Sequence, residues 1–449
     1  MLFTWPYLII LASSVTAYYL LFKKHPTYFL NVLSLGLISY WSISSAAIVV
    51  VLTATTVLLV KNHSKTTKYL GIGLHLAILL SLKTELLWIG NTTPISTWTF
   101  LGLSYFSLQN ISVLLSGNSK ISFNQLLLGN TFFSRFVAGP ILTAKDISKL
   151  KPQVQFNLEN IASGTQRIIF GLGKKLILAD RLAIITSNIF EPTNQQNPGF
   201  SLVSGALVFT LQMYLDFSAY SDIAIGSAKL FGIEFKENFK LPFQSKTVTE
   251  YWRKTHVSLI EWLTEHVYYP VVYALRSYTL LSIIVATIIT FILSGIWHGN
   301  QLGYLIWGGL NAIFLLLEYM GRKKLKLTQK SKLGVVMTFA LVSFSNFFFL
   351  AKSWSNINFH VSTLIQNKFL PTDWMVEFVA IIGNGGHFLQ QYNLLETAAL
   401  VLLFFAFESK IEKLSRKNKF SYTYITISLL AILFFGYFNA GDEFIYVQF

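Results

Sequence analysis

The residues best suited to chemistry lie in three central stretches. The first is Asp216-Phe217-Ser218-Ala219-Tyr220-Ser221-Asp222, which sets two carboxylates and several hydroxyls inside an apolar run. Their separation of six residues puts the carboxylates on different faces of a helix, so they are not a paired general acid and base. Ionisable groups at membrane depth are costly and face a cavity or a partner; helix-packing hydrogen bonds are the other reading. The second stretch, residues 250–266, carries Trp252, His256, Leu259 and Leu263 at helical spacing on one face. That spacing predicts an amphipathic helix lying along the interface or capping an internal cavity. His256 on its apolar face is either a hydrogen-bonded core residue or a site residue. The third is Ser294-Gly295-Ile296-Trp297-His298-Gly299-Asn300, closing an apolar run. A histidine at the mouth of a span, beside small glycines, leaves room for substrate near its ring. Its ordinary pKa suits proton transfer near neutrality; Trp-His-Gly alone is a weak signal, and a structural histidine is the other reading.

The elements that must position these groups are apolar throughout. Of 449 residues 53% are hydrophobic, 16% aromatic and only 12% charged, with 39 Phe; soluble proteins carry roughly 25% charged residues. A water-soluble core cannot absorb that much apolar surface. The composition therefore predicts an all-α integral membrane protein. About 11–12 transmembrane helices are expected, at roughly 20 apolar residues per crossing, together with short re-entrant and interfacial helices. Candidate spans fall near 2–22, 28–43, 45–60, 69–90, 97–116, 165–190, 201–231, 279–296, 302–320, 333–352, 392–408 and 421–439. Residues 121–164 are more polar, and read as short helices and re-entrant backbone shielded by protein.

The formal charge of +15 would suggest nucleic acid in a soluble chain. Here the basic residues cluster between apolar stretches, at 322–332 and 410–419, as the positive-inside rule requires of cytoplasmic loops. Nucleic-acid binding is excluded on that ground. The same rule places residues 353–392 and the tail 440–449 outside. The first apolar run has its lysines after it, so it reads as a retained span with an outward N-terminus. With no cysteine, disulfides, thiolate catalysis and cysteine metal sites are excluded. No metal site is expected. No repeat is visible, which argues against an inverted-repeat transporter.

Seven stretches together resemble the membrane-bound O-acyltransferase (MBOAT) superfamily, in its bacterial alginate and peptidoglycan O-acetylation branch. They are Leu101 to Gln109, Phe136-Val137-Ala138-Gly139-Pro140-Ile141, Gly173-Lys174-Lys175 to Asp180, and Asp216 to Asp222. The others are Glu237-Asn238-Phe239 with Pro242-Phe243, Glu250 to Arg253 with His256, and Ile296 to Gly299. The resemblance covers about 95–320 of a single membrane domain, 1–449. It implies helices around a central funnel, with His298 as general base at its narrowest point and His256 as a second catalytic position. Asp216, Tyr220, Trp252, Arg253 and Trp297 are expected to bind substrate or line the funnel. No bound cofactor is implied; acetyl-CoA, or another acyl thioester, is the donor substrate. His266 departs from the family pattern and is expected to be silent, and the five other histidines match no motif.

The resemblance further implies a multi-pass protein of the bacterial cytoplasmic (inner) membrane that O-acylates a cell-surface polysaccharide or peptidoglycan. An extracytoplasmic SGNH-type acyltransferase would be its partner. The ending Phe444-Ile445-Tyr446-Val447-Gln448-Phe449 resembles the acyl-relay tails of this branch, with Tyr446 carrying the acyl group; an aromatic interfacial anchor is the plain alternative. A phenol, with a pKa of about 10, forms a more activated ester than a sugar hydroxyl, so transfer onward would run downhill. Teichoic-acid D-alanylation and, from a different class, a polytopic transporter are the competing readings.

Overall fold

The computed structural model describes residues 5–81, 101–190, 199–299, 301–325, 332–351, 353–366, 394–417 and 421–438. Among these the regular elements are all helical. The helices are α1 (Trp5–Leu21), α2 (Pro26–Trp41), α3 (Ile43–Lys61), α4 (Lys65–Ser81), α5 (Leu103–Ser116), α6 (Phe123–Thr131) and α7 (Ala144–Ser148). Next come α8 (Leu158–Gly173), α9 (Asp180–Phe190), α10 (Gly199–Leu230), α11 (Val248–Lys254), α12 (Val257–Leu263), α13 (Tyr269–Ala274) and α14 (Thr279–His298). The series ends with α15 (Leu302–Leu325), α16 (Lys332–Ala351), α17 (Trp354–Gln366), α18 (Leu394–Ser415) and α19 (Tyr422–Phe435).

Among the described residues, five helices are long and apolar enough to cross a membrane: α3, α14 and α16 entire, Leu202–Leu230 of α10 and Leu302–Gly321 of α15. Several expected spans are present but shorter: α19 has 14 residues and α5 has 14, opened by the left-handed Gly102 and closed by the left-handed Gly117. The outer faces stay apolar, with Leu58, Val336 and Leu433 each more than half exposed. Lipid, not water, is the solvent such a surface requires.

At 32 residues, α10 runs about 48 Å, well beyond the ~30 Å hydrocarbon core of a bilayer. It is the axis of the fold. A Cβ on Gly164 would lie 2.8 Å from the Gly226 carbonyl, and one on Gly226 2.7 Å from the Gly164 carbonyl. Helices α8 and α10 thus meet backbone to backbone, as small residues permit between apolar helices. The α14–α15 hairpin closes the same way: Gly295 abuts the Tyr304 carbonyl and Gly308 the Phe291 carbonyl, each 2.4 Å from an added Cβ.

Two findings revise the sequence expectation. The expected span 165–190 is α8 and α9 joined by a π-helical segment, Lys174–Ala179; one residue too many per turn rotates Lys174 and Lys175 inward. The expected amphipathic helix over 250–266 is broken at His256. There the backbone turns left-handed (φ 44°), Val257 N–H donates to the Asn238 carbonyl at 2.9 Å, and α12 sets off anew. The 3.6-residue period runs through the break, so the pattern alone cannot show it. Residues 121–164 do form short helices linked by irregular backbone. Ser122 caps α6, and the Thr143 N–H bonds Asp146 at the start of α7.

Candidate active site

His298 is the last residue of α14 and is 5% exposed. The chain leaves it through Gly299, whose extended backbone passes directly over the Tyr304 ring. A Cβ at Gly299 would sit 2.1 Å from that ring, so glycine is what allows α15 to begin so close to the imidazole. Three aromatic rings surround His298: Trp297 at 5.0 Å, Trp307 at 5.2 Å and Phe349 at 5.2 Å, all steeply inclined to it. They come from α14, α15 and α16. Trp252 on α11 extends the wall, 5.5 Å from Trp307.

His256 approaches from the other side of Trp297. Its ring lies 6.1 Å from the Trp297 ring and 4.7 Å from Phe217 on α10. One indole therefore touches both histidines, with Tyr105 of α5 packed on it at 5.2 Å. The break in the helix at His256 is what brings this about. In a continuous helix His256 would fall on the Trp252 face; the left-handed turn swings it inward. The structure thus gathers His298, His256, Trp297 and Trp252 into one aromatic cluster.

The other expected residues lie elsewhere. Asp216 accepts an ion pair from Lys175 at 2.7 Å, and Lys175 also reaches Asp180 at 2.7 Å. Asp222 pairs with Arg167 at 2.6 Å and with Lys174. Arg167 goes on to Glu237, which Arg416, the residue just past the end of α18, reaches at 3.0 Å. These carboxylates bind α8, α10 and α18 together. Tyr220 is buried, and its hydroxyl accepts the Ala138 N–H at 3.3 Å in the loop between α6 and α7. Arg253 is exposed on α11. Tyr446 and Asn300 lie outside the described residues. His266, expected to be silent, meets Ser112 at 2.9 Å and stacks edge-on to Trp262; it ties the π-helical segment Thr264–Tyr268 to α5.

Sequence reasoning missed Trp307 and Phe349 as walls of the site, and Lys174, Lys175 and Arg167 as the partners of the aspartates. The lysines had a signal. Two cations inside an apolar run must find carboxylates, and Asp216, Asp222 and Asp180 are the nearest in an apolar context.

His256 lies between short helices rather than in one of the five long apolar ones. Burial pushes its imidazole down to about 3, against about 6.5 in water, so the ring is neutral at pH 7. Between those values the unfolded chain binds the extra proton. The stability that the neutral ring contributes is therefore complete above about pH 6.5 and is lost as pH falls toward 3. Asparagine also tolerates the left-handed backbone and carries no such proton. The melting temperature of His256→Asn in detergent should thus fall less steeply than the parent's on acidification below pH 6.5; parallel curves would place the acid sensitivity in another group.

The family model for membrane-bound O-acyltransferases matches residues 38–361, most of the chain and all of the aromatic cluster. Among curated proteins, the chain is 32% identical over 227 residues to the probable alginate O-acetylase AlgI of Pseudomonas fluorescens, covering 49% of this chain and 44% of that one. It is 27% identical over 309 residues to the peptidoglycan O-acetyltransferase of Helicobacter pylori, covering 60% and 57%. It is 25% identical over 281 residues to the teichoic acid D-alanyltransferase of Bacillus subtilis, covering 58% and 70%. The matched part of the chain thus spans less than half the length of the alginate-type relative.

Proposed function

The chain belongs to the membrane-bound O-acyltransferase family, and from that premise we propose that it moves an acyl group, acetyl by preference, from a thioester to a hydroxyl. The observation that carries the reading is the position of His298, enclosed by aromatic rings at the end of α14 and sharing Trp297 with His256. An alcohol is a poor nucleophile at pH 7. His298 as general base takes its proton as the oxygen attacks the thioester carbonyl. The tetrahedral adduct then expels the thiolate, which regains the proton from the imidazolium, and an ester and a free thiol result. A low-dielectric enclosure strengthens every dipole aimed at the developing oxyanion.

The donor, acetyl-CoA, approaches from the cytoplasm, and the acceptor reaches the funnel from outside. The basic runs 322–332 and 410–419 support that orientation, and an inner-membrane, multi-pass location goes with it. The final acceptor is a cell-surface polysaccharide or peptidoglycan, reached through an SGNH-type partner outside the membrane. Tyr446 carries the acyl group between the two. The likeness to a teichoic acid D-alanyltransferase supports a second reading, in which the thioester belongs to a carrier protein.

The test is the purified chain in liposomes with radiolabelled acetyl-CoA outside. Label transferred to the protein is the expected result; with an SGNH-type partner and polymer added, label should reach the polymer, and Tyr446→Phe, which keeps the aromatic anchor, should prevent that last transfer. Transfer only from an aminoacyl carrier protein would favour the second reading. Solute uptake without transfer would mark a transporter instead.

A further inference from the structure

One buried polar contact beside His298 belongs to no motif. Asn346 sits on α16 three residues before Phe349 and is 3% exposed. Its side-chain Oδ1 accepts the indole N–H of Trp307 at 3.0 Å, and its Nδ2 donates to Thr210 Oγ1 on α10 at 3.1 Å. Thr210 is fixed in turn, its hydroxyl donating to the Ala206 carbonyl at 2.9 Å. Both ends of the amide are thus used, and they join three long apolar helices at one point. A second asparagine, Asn311 on α15, braces the same wall. It accepts the Trp252 indole N–H at 3.1 Å and donates to the Trp307 carbonyl at 2.8 Å.

An amide buried among phenylalanines is costly unless its hydrogen bonds are made. Aliphatic or aromatic residues fill most of α16 from Val335 onward, and an apolar side chain of matching shape would carry no such desolvation cost here. What it could not do is hold the Trp307 N–H. A tryptophan in a core usually satisfies that N–H, and here the bond also fixes which way the indole faces. Trp307 lies 5.2 Å from His298 and at 86° to it, so the plane of the indole sets the space in which the imidazole can turn.

The geometry assigns Asn346 as a positioning residue: by holding Trp307 it keeps the His298 ring in one orientation. Asn346 touches no reacting atom. The assignment deepens the acyl-transfer reading and rests on it for its effect on rate, but not for its effect on the ring.

The experiment uses the full chain in lipid, with Asn346→Leu, Trp307→Phe and the double variant. Leucine keeps the branched shape and removes the acceptor; phenylalanine keeps a ring and removes the donor. With 15N-labelled histidine, the His298 signal is identified by its loss in His298→Gln. The parent should show one His298 environment, and each of the two variants a broadened or doubled one. The kcat for acyl transfer should drop about tenfold in Asn346→Leu, because misplacing a reacting group by a fraction of an ångström is costly. KM should stay within about twofold, and the double variant should lose no more than the worse single one. An unchanged His298 signal in Asn346→Leu, or rate losses that multiply in the double variant, would overturn the assignment. If Asn346→Leu fails to accumulate, Trp307→Phe alone decides: a single, parent-like His298 signal in it overturns the assignment. A perturbed signal in a chain that transfers no acyl group at all would leave the positioning role standing and remove the acyltransferase reading.

Discussion

Replacing His298 by alanine should lower acyl transfer by about 10²–10⁴-fold, the usual cost of losing a positioned general base, while the protein still reaches the membrane in normal amount. The two halves of this expectation have separate physical origins. The loss of rate follows because the attacking hydroxyl then has to shed its proton unaided. The normal abundance follows because His298 ends its helix: the close backbone contacts of α14 with α15 at Gly295 and Gly308 stay in place when the imidazole is removed. Alanine does leave a gap among Trp297, Trp307 and Phe349, so His298→Gln is the companion variant, close in volume and unable to act as a base at neutral pH. Both should be equally inactive. Labelled acetyl transfer by the reconstituted protein is the measurement, and a residual rate above about a tenth of the parent's in His298→Gln would remove His298 from the role of base.

How much of this site was legible depends on what kind of signal each residue carries. Trp297-His298-Gly299 alone is a short pattern that apolar chains contain by chance; the run of family motifs around it is what singled out His298. Trp307 and Phe349 do not stand out, since α15 and α16 are apolar almost all round and periodicity then picks out no inner face. Asn346 was similarly hidden; its partners lie 39 and 136 positions away in sequence. The all-helical membrane architecture followed from composition, which averages over the whole chain and is insensitive to local error. The turn at His256 did not, because the apolar residues keep helical spacing on both sides of it. It is imposed by Asn238, whose carbonyl accepts the Val257 N–H and whose side chain bonds Ser258. The carboxylates were legible as buried groups in need of partners. Which partner each takes was fixed by the π-helical segment, whose extra residue per turn brings both Lys174 and Lys175 to face α10.

Those pairings set the second large effect. Asp222→Asn should destabilise the folded protein by about 3–5 kcal/mol, the range for breaking one side of a buried ion pair, and sharply reduce its abundance. Asp222 accepts from Arg167 Nε at 2.8 Å and from its Nη2 at 2.6 Å, and also pairs with Lys174. Arg167 keeps Glu237 when Asp222 is neutralised. Lys174 keeps the Ser218 hydroxyl at 2.8 Å and the Phe170 ring at 4.7 Å, and the carboxylates of Glu408 and Glu412 in the same cavity attract it from farther off. The ammonium, deprived of its close ion pair, is therefore the main source of the loss. This predicts a rescue: Lys174→Met in the Asp222→Asn background removes the stranded charge and should restore much of the abundance, although it adds no interaction. Thermal unfolding in detergent measures the stability, and acyl transfer per folded molecule measures the chemistry. The structure expects the first to fall and recover while the second stays near the parent's value, because Asp222 ties α8 to α10 and belongs to no part of the aromatic cluster. The opposite pattern, normal unfolding with transfer abolished and no rescue by Lys174→Met, would return Asp222 to the path of the substrate and show that its two cations are held there for the reaction, not for the fold.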